Sequence, residues 1–294
     1  MIKGLICSII SACCFGMLPI LAKLGYMHGM STTEMLQYRF LIASLLMGLW
    51  YLATDRDVLR ISLAGLGKTA ILGCIIYPLQ STCFLRSVET LPASTATLIF
   101  YIYPALVTVL GAYIYRQRIE RRVTLALFLV TGGCALVFLD AFMRDADVLG
   151  VAWACGATAL FSGYLLLVQS MMRGQRPLTF SVYVIFFAGL TFTLLRGVPD
   201  VGNLDATQAG LALAFALVPT VLAITLLYVA IEAVGSAYAS IFSTLEPVTT
   251  VAVAFVALGE PIYSRQLFGA ALIVVGIIVP NLALLRRKAR VDVN

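Results

Sequence analysis

Leu91-Pro92-Ala93-Ser94-Thr95-Ala96-Thr97, with Tyr103-Pro104 six residues on, and Val234-Gly235-Ser236-Ala237-Tyr238-Ala239-Ser240, with Glu246-Pro247 after the same interval, are two versions of one segment set 143 positions apart. The same offset pairs Gly133 with Gly276. Nearer the start of each copy the offset becomes 146, pairing Gly4 with Gly150 and Phe15 with Phe161, so the connecting loops differ by three residues. The chain is therefore expected to hold two similar units, 1–140 and 148–285, followed by a basic tail at 286–294.

Outside these segments the chain is too apolar for water. Hydrophobic residues make up 61% of it and charged residues 12%, against roughly 45–50% and about 25% in soluble domains. The charges lie between apolar runs of about 20 residues, the length that crosses roughly 30 Å of hydrocarbon as a helix. A membrane barrel would instead show strict alternation over about 10 residues, which is missing. With charged, Gly and Pro residues as punctuation, spans are expected at Ile2 to Leu24, Thr33 to Leu52, Leu66 to Leu85, Pro92 to Tyr115 and Val123 to Leu139. The second unit supplies Val148 to Met171, Leu178 to Leu195, Thr207 to Ala230, Gly235 to Leu258 and Ser264 to Leu285. The pattern predicts an all-α membrane protein of ten transmembrane helices arranged as two inverted five-helix repeats. The inversion is geometric: after an odd number of crossings the second unit enters from the opposite side.

Positive residues near helix ends are retained in the cytoplasm. With the N-terminus inside, the inner side carries 14 Lys and Arg residues and the outer side 6, namely Lys23, Arg39, Arg86, Arg144, Arg196 and Arg265. Both termini are therefore expected to be cytoplasmic, in a multi-pass protein of the cell (inner) membrane. The apolar run after Met1-Ile2-Lys3 lacks an A-x-A cleavage site and exceeds signal-peptide length, so it reads as an uncleaved first helix.

Tyr228-Val-Ala-Ile-Glu232, Gly235-Ser-Ala-Tyr-Ala-Ser240, Leu245-Glu246-Pro247, Leu258-Gly259-Glu260 and Gly269-Ala-Ala-Leu-Ile273 with Gly276 resemble the second repeat of the EamA-type transporters of the drug/metabolite transporter superfamily. Tyr38-Arg39-Phe40-Leu41, Leu91-Pro92-Ala93-Ser94, Tyr103-Pro104 and Gly132-Gly133 echo it in the first unit. The resemblance implies a ten-helix transporter with both ends cytoplasmic, exporting amino acids or other metabolites through a cavity lined by helices 1, 3, 4, 6, 8 and 9. Gly259-Glu260 departs from the pattern in the first unit, where Arg116-Gln117 stands in its place.

The candidate binding residues follow from depth. Glu246 falls about halfway along the ninth span, where a carboxylate costs a few kcal/mol or more unless it meets water, a partner or a proton. It either faces a cavity, holding a proton, a cation or a substrate amine, or it braces backbone groups freed by Pro247. Ser236, Ser240, Thr244 and Pro247 share one helix face, matched by Ala93, Thr97, Tyr101 and Pro104. The end positions suit a packing seam, whereas Thr244 and Tyr101, nearer mid-membrane, suit a cavity wall. Ser243, Tyr103, Phe15, Tyr77, Gln80, Phe84, Phe161 and Tyr164 lie at similar depth and complete the candidate set. Tyrosines beside a lone carboxylate suit an amine-bearing solute. Pro19, Pro78, Pro104, Pro219 and Pro247 lie inside spans and are candidate hinges, since each removes a backbone hydrogen bond. Lys23 and Arg39, within two turns of the outer face, are expected to snorkel to the headgroups or to gate the outer mouth. On that reading no Lys or Arg stands at mid-membrane, which opposes acidic substrates.

Other functions find little in the chain. The net charge of +6 is spread beside the spans and forms no basic domain, so nucleic-acid binding is not expected. All seven cysteines lie in apolar runs without a C-x-x-C pair, and His28 is alone in a loop, so neither a metal site nor a disulfide framework is expected. Asp-rich, zinc-binding, G-x-S-x-G and phosphate-loop motifs are missing, which disfavours both an ATP-driven pump and the alternative of a membrane enzyme acting on lipids or isoprenoids. The expectation is a non-enzymatic secondary carrier without a cofactor. Its partners are membrane lipids and a small-molecule substrate, with protons as candidate coupling ions, and it works as a monomer or weak homodimer.

Overall fold

The computed structural model describes residues 2–91, 93–116, 121–142, 147–258, 264–265 and 267–276. Pro92, Arg118, Arg144, Glu260, the end of the expected tenth span and the basic tail fall outside them. Every regular element among the described residues is helical. Among the described residues, six helices are long and apolar enough to cross a membrane: Lys3–Met27, Thr32–Thr54, Leu63–Thr90, Val148–Met171, Pro177–Arg196 and Ala206–Val234. Shorter apolar helices cover Tyr103–Ile114, Thr124–Leu136 and Leu267–Gly276.

Polar residues set the helix starts. Ser31 and Glu34 form a capping box at α3 (Thr32–Thr54), and Asp205 and Gln208 form another at α11 (Ala206–Ala216). Asp147 caps α9 (Val148–Met171), and Ser62 caps α4 (Leu63–Ile71). Pro177 opens α10 (Pro177–Arg196), where its missing N–H costs nothing. α12 (Ala223–Val234) stops at Gly235, whose φ of 82° excludes ordinary side chains, and α13 (Ser236–Ser243) starts directly after it.

The five candidate hinge prolines coincide with discontinuities. The first span is divided at Met17 into α1 (Ile2–Gly16) and α2 (Leu18–Met27), which carries Pro19 in its first turn. Between α4 and α5 (Tyr77–Thr90) the chain widens into a π-helical turn over Leu72–Ile76, just before Pro78. A second such turn, Leu217–Leu222, contains Pro219 and joins α11 to α12. There Pro219 leaves the Phe215 carbonyl without its usual donor, and the Thr220 hydroxyl supplies one at 2.7 Å. The stretches read from sequence as continuous spans at 92–115 and 235–258 are each in two pieces. α6 (Ala93–Phe100) is separated from α7 (Tyr103–Ile114), and α13 from α14 (Glu246–Leu258), at Tyr101-Ile102 and Thr244-Leu245. Pro104 and Pro247 stand one residue inside the second pieces, and hydropathy does not register the interruptions because both flanks are apolar.

Close contacts come in pairs at the offsets of the sequence. Gly133 of α8 (Arg121–Phe142) lies against Gly269 and Ile273 of α15 (Leu267–Gly276), and Gly276 lies against Ala126 and Val130 of α8. Ala126 and Gly269, like Val130 and Ile273, are 143 apart. Gly4 of α1 presses on Ala233 and Val234, while Gly150 of α9 presses on Thr90 and Leu91. Accordingly α1 packs along α12 and α9 along α5, and α3 lies beside α10. Large apolar side chains such as Leu49, Trp50, Phe128, Leu194 and Leu195 face outward, whereas Ser8, Ser11, Gln37 and Arg39 are buried. Such an exterior suits hydrocarbon, which also explains why backbone groups are paired within helices.

The two neighbouring glycines of α8 provide a test. A Cβ on Gly133 would stand 2.6 Å from the Gly269 carbonyl oxygen, a backbone atom that cannot swing away, whereas a Cβ on Gly132 meets nothing within 4 Å. Gly133→Ala is expected to destabilise the purified protein by about 1–3 kcal/mol through overpacking, and Gly132→Ala to leave it unchanged or gain up to about 1 kcal/mol in helix propensity. Thermal unfolding in one detergent measures both.

Candidate functional site

The helix breaks border a cavity whose empty space, about 520 Å³, includes the solvent at its open mouth. Seven of the candidate binding residues line it: Phe15 of α1, Tyr77, Gln80 and Phe84 of α5, Tyr101 at the α6–α7 break, Phe161 of α9, and Glu246 at the head of α14. Pro19 and Phe100 add apolar wall, and Ser81 and Thr97 add hydroxyls. Ring contacts of 4.8 Å between Phe84 and Phe100 and 5.2 Å between Phe100 and Phe161 make one side a continuous aromatic surface.

Tyr103, Tyr164, Ser240, Ser243 and Thr244 stand one layer behind the wall. The Tyr103 ring packs edge-on to Phe161 at 4.9 Å. Tyr164 stacks on Tyr77 at 4.9 Å and shares a short hydrogen bond with the Tyr228 hydroxyl. Ser240, Ser243 and Thr244 donate to the carbonyls of Ala237, Ala239 and Ile241, so their hydroxyls satisfy their own helix where α13 packs on α7. The orientation of Tyr103, Ser240, Ser243 and Thr244 follows from the broken helices, which the regular 3.6-residue repeat does not represent.

Glu246 is only 6% exposed, and its carboxylate makes no hydrogen bond or ion pair among the described residues. Thr250 Oγ1 donates to the Glu246 carbonyl at 3.0 Å and to the Gly16 carbonyl at 2.8 Å, joining α14 to α1. Gly16 permits that approach, because a Cβ there would lie 2.8 Å from the Glu246 carbonyl oxygen. The carboxylate is thereby left to the cavity.

Arg39 overturns its expected place. Instead of snorkelling to the headgroups it is 1% exposed and forms part of the cavity wall, so a mid-membrane cation is present after all. Nε donates to Thr220 Oγ1 at 2.7 Å, and Nη2 donates to the Pro219 carbonyl at 3.0 Å and the Tyr77 hydroxyl at 3.3 Å. The guanidinium also sits 4.9 Å from the Phe40 ring centroid. It is held by the π-helical turn at Pro219, where irregular backbone offers carbonyls that a straight helix would have spent. A signal existed in the sequence: the Ser31-x-x-Glu34 capping box fixes the helix start, and Arg39 then lies two turns inside, roughly 10 Å deep. Lys23, by contrast, is exposed.

The cavity sits nearer the face bearing His28 and Gly197. On the opposite side α13 packs directly on α7, whereas no comparable packing joins α6 to α14 among the described residues. The polar ties on the His28 face run through α3 instead: Arg196 pairs with Glu34 at 3.0 Å, and Gln37 donates to the Gly197 carbonyl at 2.7 Å.

Comparison with known proteins agrees with a transporter. The sequence pattern of the EamA-like transporter family matches residues 2–139 and again 148–282. The uncharacterized transporter YwfM of Bacillus subtilis (strain 168) is 30% identical over 165 residues, a stretch covering 56% of each protein, so the match spans little more than half of that relative. The uncharacterized transporter YcbK of the same organism is 24% identical over 281 residues, 90% of this chain and 88% of YcbK. A solved crystal structure superposes with a TM-score of 0.79 over 97% of this chain and 98% of the other at 17% identity, a likeness of fold alone. With the family pattern matching twice along nearly its whole length, this chain belongs to the EamA-like transporter family.

Proposed function

We propose that the protein is a secondary carrier of ten transmembrane helices in two inverted five-helix repeats, 1–140 and 148–285, which exports amino acids or related small metabolites by alternating access. The observation that carries this reading is the cavity between the two broken helices, with the buried Glu246, unpaired among the described residues, in its wall. The reciprocal glycine contacts support the two-fold relation between repeats, because a contact repeated with its partners exchanged is the signature of such an axis. The charge count supports cytoplasmic termini in the cell inner membrane, which makes the His28 face the outer one. One chain supplies the whole cavity, which supports a monomer or weak dimer as the working unit.

Alternating access follows from exchange between the repeats. With α7 and α13 packed together and α6 and α14 apart, the cavity faces outward. Exchanging the conformations of the two repeats would separate α7 from α13 and close α6 on α14, turning the same cavity inward. The discontinuities at Tyr101-Ile102 and Thr244-Leu245 place the bend points at matching depth, so each outer or inner half moves against a fixed remainder. The prolines serve as hinges in this scheme, and Glu246 meets the substrate amine or, in an empty cavity, a proton.

Two measurements test the reading. In a cysteine-free background, Thr97→Cys is expected to react with a membrane-impermeant maleimide added outside, and Ser240→Cys, in the α13–α7 seam, to stay protected. Equal labelling from outside would contradict the outward-facing assignment. Glu246→Gln preserves shape while removing a charge, and in proteoliposome counterflow it is expected to lower kcat/KM by about tenfold or more, the scale of one charge-assisted hydrogen bond. Wild-type KM, rate and pH profile in that variant would make the carboxylate merely structural.

A further inference from the structure

The cavity holds two charged side chains that do not meet. Arg39 and Glu246 both line it, yet no ion pair or hydrogen bond joins them. Tyr77, on α5, lines the same cavity and accepts a hydrogen bond from Arg39 Nη2. Each charge is also incompletely used. Arg39 spends Nε and Nη2 on Thr220, Pro219 and Tyr77, while Nη1 has no partner among the described residues. The Glu246 carboxylate has none either.

From this arrangement we infer that the solute is a zwitterion whose carboxylate docks on the open Nη1 edge of Arg39, whose ammonium faces Glu246, and whose apolar side chain lies on the Phe84–Phe100–Phe161 surface. The inference rests on the carrier reading and adds the substrate's charge pattern and the residue that selects its carboxylate.

The argument is one of compensation. A guanidinium keeps its charge at any physiological pH, and an uncompensated ion in a closing, low-dielectric cavity is expensive. A solute bearing only an ammonium would leave Arg39 stranded when water leaves, and one bearing only a carboxylate would leave Glu246 to take up a proton or remain uncompensated. A solute carrying both neutralises both walls at once. The guanidinium suits a carboxylate, because the two N–H groups left on Nη1 can give it charge-assisted hydrogen bonds while Nε and Nη2 hold the side chain in place. An ammonium gains from Glu246 and from neighbouring aromatic faces such as Phe15. The wall formed by Phe84, Phe100 and Phe161 is aromatic, which fits a side chain of phenylalanine type.

Counterflow in proteoliposomes with phenylalanine, phenylalaninamide, phenethylamine and 3-phenylpropionate reads the proposal, because these share a ring and differ in charge. Wild-type protein is expected to prefer phenylalanine over each singly charged analogue by about tenfold to a hundredfold. In Arg39→Gln the ratio of phenylalanine to phenethylamine should collapse toward one, whereas Glu246→Gln should reduce the preference for phenylalanine over 3-phenylpropionate. Should Arg39→Gln fail to fold, Arg39→Lys keeps the charge without the fork and is expected to retain part of the preference, and the wild-type series remains decisive alone. An unchanged ratio in a folded Arg39→Gln protein would overturn the inference, as would equal wild-type transport of phenylalanine and phenethylamine. If the wild type moves a labelled sugar or simple amine but no phenylalanine, the carrier reading stands and the zwitterion assignment falls. If none of a panel of amino acids, amines and sugars moves, both fall.

Discussion

An ion inside hydrocarbon needs water, a counter-ion or a ring of dipoles, and this chain sets two in the walls of one cavity without joining them. Arg39 is met partly by dipoles, through the Pro219 carbonyl and the Thr220 and Tyr77 hydroxyls. Glu246 is met by none among the described residues. Much of the architecture follows from keeping these groups apart yet accessible. Helices 1, 3, 6 and the broken pair must surround a space instead of filling it, and the polar side chains must point inward while leucines and phenylalanines face lipid. A bundle optimised only for stability would have replaced both ions with packed apolar groups of the same volume, which costs less.

The helix breaks and the glycines solve opposite halves of one mechanical problem. In the proposed cycle a moving part needs compliant places, and prolines stand in the first span, beside or within the two π-helical turns and at the two matched interruptions. It also needs rigid places against which to move. Gly133 and Gly276 let α8 and α15 approach to backbone distance, and Gly4 and Gly150 do so for α1 on α12 and α9 on α5. Close backbone approach adds dispersion contacts where the hydrophobic effect offers little drive between helices. The hydroxyl of Thr250, bridging Gly16 to Glu246, shows the two devices meeting: a glycine contact and a proline break held by one side chain.

What could be read from the sequence followed from its periodicities. Apolar run length gave the long helices, because hydrocarbon thickness sets helix length directly. Pro104 and Pro247 marked bend points, but the interruptions at Tyr101-Ile102 and Thr244-Leu245 left no trace in hydropathy. Glu246 was conspicuous, since a lone carboxylate in an apolar run is costly wherever it points. Arg39 was misplaced because an arginine two turns deep can extend in either direction, and the partner that turns it inward lies 180 residues away at Pro219. Tyr103, Tyr164, Ser240, Ser243 and Thr244 stand outside the cavity lining, since which residues face a cavity depends on the packing of non-neighbouring helices. Seven others, from Phe15 to Glu246, reached the cavity because each belongs to an element that frames it.

The most direct test of the account is a structure of the protein in a lipid nanodisc with phenylalanine bound. The account predicts density between Arg39 and Glu246, with the carboxylate on the guanidinium and the ring against Phe84, Phe100 and Phe161. A ligand bound away from both charges, or Arg39 paired directly with Glu246 beside an occupied cavity, would contradict it.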